Sequence, residues 1–383
     1  MDNLTHSLIG LAAAKAGLEK LSPGTTTLCI LAANAPDADL AFLIFRGRWA
    51  FLQQHRGLSH SIVGALAFAV ILPLTFYFGD WLVASVRQRK RSLKLKGLLL
   101  ASLLVTATHP IMDWTNNYGV RFLLPWNPRW FYGDFVFIID PFIWIVLGGA
   151  GFLLTAKTSK QLAIWIAIAL IPSYVVLAGV AGRGTLASQF SLRLLWIVAL
   201  IVLVTLYRRK TVERLGAKIA IAALITVTIY CAGLATTHAV ALRQAKFQAA
   251  GIAKMNAEQI LRIAAMPNVA NPLDWLCVME TDRATYRFNT SLLRRSAGPS
   301  NVARFEKPTG SAAEMVARAA NDGRAEVFLG FARFPVMRVV GDDCLTQTLV
   351  QFADLRYTEP GRGRGTFSLD VPVECPVLDK QNK

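Results

Sequence analysis

The sequence predicts a mainly α-helical polytopic membrane domain followed by a small α+β domain outside the membrane. Three observations carry this. Hydrophobic residues make up 54% of the 383 residues and charged ones 17%, with a mean hydropathy of +0.42, whereas an ordinary soluble domain carries about 25% charged residues. Apolar runs near the roughly 20 residues needed to cross the hydrocarbon recur between residues 61 and 241. Beyond residue 242 the pattern changes to short β-type runs separated by turn residues. The domains are accordingly set at 1–242 and 243–383.

Residues 5–20 show helical spacing and end near Lys15, Glu19 and Lys20, and Ser22-Pro23-Gly24 breaks the helix. Residues 25–35 are apolar up to Pro36, which ends or kinks the helix. Both segments are short for full spans and predict a tilted or re-entrant pair. Residues 40–54, with Arg46, Arg48 and Trp49, suit the membrane interface. Spans follow at about 61–86, 97–113, 135–155, 161–181, 192–207 and 219–241. After a helical stretch at about 243–265, strands are expected around Trp275–Met279, Thr285–Phe288, Ala325–Gly330, Val336–Val340, Leu349–Phe352 and Gly365–Leu369, with a turn at Gly341-Asp342-Asp343. A helix is expected at about 311–321, and the tail after Cys375 reads as disordered.

Charge gives the topology. Residues 1–242 hold 22 Lys/Arg against 9 Asp/Glu, and residues 243–383 hold 19 against 15. The net charge of +17 is thus concentrated in loops between apolar runs, which follows the positive-inside rule and argues against nucleic acid as a partner. Loop 87–96 has six basic residues and no acid; loop 208–218 and the Lys157/Lys160 turn are also basic. All three are assigned to the cytoplasm, which fits six alternating spans and puts residues 114–134 and the C-terminal domain outside. No CxxC pair occurs among the five cysteines. Cys29 and Cys231 read as packing residues, and one disulfide among Cys277, Cys344 and Cys375 is allowed if their domain is extracytoplasmic.

The chemistry lies at the ends of the apolar runs. Four of the five histidines, His6, His55, His60 and His109, fall within the first 109 residues. Asp37, Asp39 and Asp113 accompany them, His109 and Asp113 being four apart on one helix face. Ionisable groups at membrane depth are costly and mark function, and imidazole with carboxylate suits zinc, manganese or iron. Each residue also has a bland reading: a helix-end histidine as a cap, Pro36-Asp37 as a turn, Asp39 as a cap. Asp80 reads as interfacial and His238 as structural. Asp134 and Asp140 are weaker candidates at the start of the third span. The loop Asp113–Gly119, with Trp126, Arg129, Trp130 and Tyr132, could cover the site; an aromatic belt is the simpler reading of its tryptophans.

The ordered motifs Asp2-Asn3-Leu4-Thr5-His6-Ser7, Pro36-Asp37-Ala38-Asp39, His55-Arg56-Gly57-Leu58-Ser59-His60-Ser61 and His109-Pro110-Ile111-Met112-Asp113 resemble the YdjM-type family over about residues 1–150. That family is described as inner-membrane-associated, metal-dependent hydrolases and as LexA-binding. A weaker similarity is to helical zinc-dependent phospholipase C proteins. The resemblance implies that His6, Asp37, Asp39, His55, His60, His109 and Asp113 are metal ligands or general bases. Seven candidates exceed one four-coordinate zinc, so a second metal or residues orienting the ligands are implied. Arg56 would clamp an anionic substrate or pair with an aspartate.

The resulting expectation is a multi-pass inner-membrane protein with a divalent-metal site, zinc or alternatively manganese, at the extracytoplasmic face. It would hydrolyse a lipid or other amphiphilic ester or phosphoester, with Asp39 or Asp113 as base and Arg56 on the substrate. The alternative is a non-enzymatic, membrane-anchored binding protein with a structural metal or polar cluster. A transport path is weaker, because the later spans carry few ionisable residues. Membrane lipids are the expected partners; the implied LexA association would need the basic loop 87–96.

Overall fold

The computed structural model describes residues 1–179, 186–269, 271–293, 298–341, 347–363 and 365–374. They form two compact units: Met1–Ala38 with Arg56–Thr237 and Pro267–Pro272, and Asp39–His55 with His238–Met266 and Leu273 onward.

In the first unit, α1 (Asn3–Lys15) and α2 (Thr25–Asn34) are antiparallel: the Asn34 amide, at the end of α2, donates to Ser7 Oγ near the start of α1 at 2.9 Å. Small residues allow this approach. A Cβ on Gly10 would lie 2.5 Å from the Cys29 carbonyl oxygen, and Ala14, Cys29, Ala32, Ala33, Ala101 and Val105 pack together. A 3-10 turn, Ala35–Leu40, follows α2 and leads into α3 (Ala41–Gln54), which belongs to the second unit and is kinked at Gly47, φ 80°. Next come α4 (Ile62–Val86) and α5 (Leu95–Trp114). Asp80 ties down the basic linker between them, accepting from Arg89 at 2.5 Å and from the Ser92 and Leu93 amides at 3.0 and 3.1 Å. It is an anchor rather than a plain interfacial residue.

Then come α6 (Pro141–Thr155), α7 (Ser159–Tyr174), extended by a π-helical turn at Val175–Gly179, α8 (Leu186–Arg208), α9 (Thr211–Leu215) and α10 (Lys218–Asn256). Among the described residues six helical runs are long and apolar enough to cross a membrane: Thr25–Gln54, Ile62–Val86, Leu95–Trp114, Ser159–Ala178, Gln189–Arg208 and Lys218–Asn256. The set differs from the sequence expectation at two places. The run from Thr25 is longer than two short segments, because Pro36 is absorbed in a 3-10 turn. The segment at 135–155 is only a 15-residue helix, because Asp140 caps it and Pro141 opens it; at 1.5 Å per residue it falls short of the roughly 30 Å hydrocarbon.

The second unit has two antiparallel sheets. One is ordered β1 (Ile260–Asn268), β2 (Asn271–Thr281), β3 (Ala284–Ser291), β4 (Ser300–Glu306). The other is β5 (Pro335–Val340), β6 (Gln347–Asp354), β7 (Ser368–Glu374). The stripe Ala241, Ala245, Ala249, Ile252 on the C-terminal half of α10 packs on Trp275, Cys277, Tyr286 and Phe288. Two helices, α11 (Gly310–Ala320) and α12 (Gly323–Phe331), place Met315, Ala319 and Phe328 against Val350, Phe352 and Val371.

Three expectations are corrected here. Ala325–Gly330 is helical, because Asp322 accepts from the Arg324 amide at 2.8 Å and starts α12. The helix expected over 243–265 stops at Asn256, and β1 begins at Ile260. Gly365–Phe367 is a 3-10 turn, so the strand expected at Gly365–Leu369 begins only at Ser368. Cys29, Cys231 and Cys277 are free thiols, whereas Cys344, Cys375, the Asp342-Asp343 turn and the C-terminal tail lie outside the described residues. His238 packs on the Trp275 ring, with centroids 5.5 Å apart.

Candidate metal centre

The helix ends that meet opposite the 87–94 linker carry the cluster. His6 is fixed by the start of α1: Asp2 accepts from the Thr5 amide at 3.0 Å and from the Thr5 hydroxyl at 2.8 Å. The indole N–H of Trp144 on α6 donates to both Asp2 carboxylate oxygens, at 3.1 and 3.2 Å, and lies 3.1 Å from Thr5 Oγ1. Asp37 comes from the 3-10 turn after α2. His60 ends a second 3-10 turn, Leu58–His60, and Ser61 then caps α4 by accepting from the Gly64 amide at 3.1 Å. That turn sits on α4 because residue 64 has no side chain; a Cβ there would lie 2.0 Å from the Leu58 carbonyl oxygen. His109 and Asp113 are one turn apart near the end of α5.

Asp37, His60, His109 and Asp113 are all buried, and each offers an atom within 4.8 Å of the others'. The two imidazole Nε2 atoms are 3.0 Å apart. Asp37 Oδ1 lies 3.3 Å from His60 Nε2 and 3.6 Å from His109 Nε2; Asp113 Oδ2 lies 3.2 and 3.4 Å from the same atoms. His109 Nδ1 is 2.6 Å from the Ala33 carbonyl oxygen, which can only accept, so Nδ1 carries the proton and Nε2 presents its lone pair to the cluster. Ser59 Oγ holds His60 Nδ1 at 2.9 Å. His6 stacks on His109 with centroids 3.8 Å apart, and its Nε2 lies 3.4 Å from Asp113 Oδ1.

The donor set fits a cation. Neither ring nitrogen of His6, nor Asp113 Oδ2, has a hydrogen-bond partner, although all are buried. Such groups are costly to bury unless something satisfies them. Lone pairs from imidazole and carboxylate converging from four elements are what a divalent metal takes. A histidine bonding a backbone carbonyl through its distal nitrogen is the usual support of a metal ligand.

Asp113 Oδ1 also takes the Met1 amine and the Arg56 guanidinium, the latter at 3.1 Å. Arg56 also donates to Asn116 Oδ1 at 2.8 Å and lies over the Tyr118 ring at 4.7 Å. Of the two roles left open for Arg56, the structure shows the pairing with an aspartate. Its φ of 54° is in the left-handed region, and its carbonyl accepts from the Arg121 amide at 3.3 Å. The loop from Trp114 is ordered by mutual backbone bonds between Val120 and Phe131, and it buries Thr115, Asn116, Asn117 and Tyr118. Trp126 is exposed, and Trp130 lies under Arg121.

Asp39 and His55 lie in the second unit and pair with each other, His55 Nδ1 to Asp39 Oδ1 at 3.0 Å. Asp140 is a cap: it accepts from the Phe142 and Ile143 amides and from the Tyr230 hydroxyl at 2.9 Å. Trp144 and Gly64 escaped the sequence reading. The Asp2-x-x-Thr5 capping pattern and the Ser61-x-x-Gly64 helix start were the available signals.

The fold and site define a polytopic membrane protein with a buried imidazole–carboxylate centre. Residues 1–185 match the family model described as YdjM inner membrane protein. With six apolar helical runs among the described residues, the protein is a multi-pass inner-membrane protein. The uncharacterized protein YfhP of Bacillus subtilis (strain 168) is 26% identical over 198 residues, 47% of this chain and 52% of YfhP. The chain thus spans about half the length of that curated relative. No solved structure matches the chain.

Proposed function

We propose that this protein is a membrane-bound metal-dependent hydrolase acting on an amphiphilic ester or phosphoester at the extracytoplasmic face. The observation that carries the proposal is the meeting of His60 Nε2 and His109 Nε2 at 3.0 Å with two carboxylates beside them. Asp37, His60, His109 and Asp113 would hold the ion, with His6 as the next donor. Zinc fits the mixed imidazole–carboxylate set, and manganese is the alternative. A bound divalent cation would bring the pKa of water to about 7 and polarise an ester oxygen. A carboxylate that does not ligate would act as base, and Asp113 is the candidate where Asp37, His60 and His109 hold the ion without it. Arg56 holds Asp113 in place and adds positive charge where an anionic substrate would gather. The positive-inside rule supports the face, since the cluster lies at the ends of α4 and α5 away from the basic linker.

A second reading is favoured by burial. His6, His60 and His109 are each 0% exposed, which suits a closed structural site in a non-enzymatic anchor protein. Both readings expect metal in protein purified without chelator, and its loss in His60→Ala and Asp37→Ala. A metal-free wild type ends the hydrolase reading and leaves the cluster a hydrogen-bonded polar network. Manganese-loaded protein separates them. Exchange of bound solvent seen by water-proton relaxation, with cleavage of a phosphoester lipid in vesicles, supports the hydrolase; bound metal with neither supports the structural site.

A further inference from the structure

The first unit contains a second concavity, of about 490 Å³, between α1, α6, α7 and α8. Its wall is apolar almost throughout, with Leu4, Leu8, Ile166 and Leu203 among the lining residues, and Arg208 is the one charged side chain among the described lining residues. The three indole N–H groups in the wall are already used inside the protein: Trp144 on Asp2 and Thr5, Trp165 on Thr155 at 2.7 Å, and Trp196 on Ser173 at 3.1 Å. A ligand here is therefore offered hydrocarbon along most of its length, with Tyr207 and the Arg208 cation at one end. From Trp196 to Arg208 the α8 wall rises about 18 Å at 1.5 Å per residue, which is close to the depth of one bilayer leaflet, about 15 Å. The chain continues past Arg208 with Arg209 and Lys210, so the positive end is reinforced.

We propose that this groove is a binding site for one acyl chain of an anionic phospholipid, with the headgroup phosphate at Arg208. Length, apolarity and the position of the charge select this occupant. Beyond Arg208 and the three indoles already used, a polar metabolite would find only the Ser173 and Tyr207 hydroxyls among the described lining residues, and a purely apolar molecule would leave Arg208 unanswered. α1 is the partition between groove and metal cluster. Leu4 and Leu8 lie four residues apart on one face, and His6 lies roughly 200° round the helix from each. The proposal stands independently of any hydrolase activity.

The test is native mass spectrometry of the full-length protein in mild detergent, delipidated and then titrated with dioleoyl phosphatidylglycerol or dioleoyl phosphatidylcholine. The wild type is expected to retain one phosphatidylglycerol with roughly tenfold preference, the size of one charge-assisted contact. Arg208→Gln should lower that preference severalfold, any remainder coming from Arg209 and Lys210. Ala169→Phe, which fills the groove, should abolish retention of both. His60→Ala should retain lipid as the wild type does, so that failure of the metal reading leaves this result intact. Equal retention of the two lipids by the wild type, or an unchanged preference in Arg208→Gln, overturns the proposal. So does undiminished binding in an Ala169→Phe protein that elutes as the wild type does.

Discussion

His109 gives its Nδ1 proton to the Ala33 carbonyl at 2.6 Å, and this bond between α5 and the end of α2 decides which nitrogen faces the cluster. The same bond helps to hold Asp37, four residues after Ala33, within ligand distance of that nitrogen. Tautomer and position are thus set by one contact.

Ser59 plays the corresponding part for His60, through Oγ at 2.9 Å from Nδ1. Ser59→Ala is expected to leave the fold intact and weaken metal affinity by about 10- to 100-fold, the usual cost of removing a group that orients a ligating histidine. Competition with a chromophoric chelator measures it; an unchanged affinity would remove Ser59 from the site.

Gly64→Ala should be far more damaging than its chemistry suggests. The added methyl meets the Leu58 carbonyl oxygen at 2.0 Å. Either the His60 turn or α4 must move, at a cost of about 1–3 kcal/mol for overpacking. Bound metal and thermal midpoint in detergent should fall together. A variant that keeps both at wild-type values contradicts the placement of the Leu58–His60 turn.

Trp144→Phe deletes the donor shared by Asp2 and Thr5 while keeping an aromatic ring. The loss is expected to be about 1–2 kcal/mol, because a half-buried carboxylate loses a charge-assisted partner. Asp2→Ala removes the α1 cap at about 0.5–2 kcal/mol. The double variant should cost less than the sum, since both changes break the same contact; strict additivity would show the contact to be absent.

Arg56→Gln leaves Asp113 with one fewer counter-charge in a buried setting. The cost is expected near 3–5 kcal/mol, the range for breaking a buried pair, and Arg56→Lys should recover only part of it, because Arg56 reaches Asp113, Asn116 and the Tyr118 face at once. Urea midpoints of the three proteins in one detergent provide the comparison.

Acid should weaken the sheet unit. Burial raises the Glu258 carboxyl, but hydrogen bonds from Arg304, Thr281 and Tyr286 outweigh it and hold the group below its ordinary value. At Glu280 burial is likewise opposed and outweighed by Lys307 and Arg262. Arg324 brings Asp322 down to about 2. Groups with folded values below their unfolded ones, about 4, stabilise above that pH and lose the contribution as pH falls through the folded value. The thermal midpoint of the full chain should therefore drop between about pH 5 and pH 2, and Glu258→Gln should flatten that slope. A wild-type midpoint constant across the window contradicts the assignment.

The sequence made the cluster legible because imidazoles and carboxylates stand out among apolar residues. His6, Asp37, His60, His109 and Asp113 needed only the charge-derived topology to be brought to one end of the helices. Trp144 did not stand out, since an indole in an apolar run reads as a membrane anchor until its partner is known. Asp39 and His55 carry the same side chains as the cluster and pair with each other across α3, a relationship that spacing alone does not reveal. Helix 323–331 was hidden by the β-type run Val327-Phe328-Leu329; the local cap at Asp322 decides it. The short helix at Pro141 was hidden because Phe135–Ile139 is as apolar as a span, and only the Asp140 cap shows where the helix starts.

α1 offers His6 to one neighbour and Leu4 with Leu8 to the other, on a segment of only 13 residues. Occupancy on its two sides is then subject to thermodynamic reciprocity: whatever factor a groove lipid imposes on metal affinity, metal must impose on lipid affinity. Wild-type lipid retention by His60→Ala sets that factor at one, and titrating metal against lipid must return the same value.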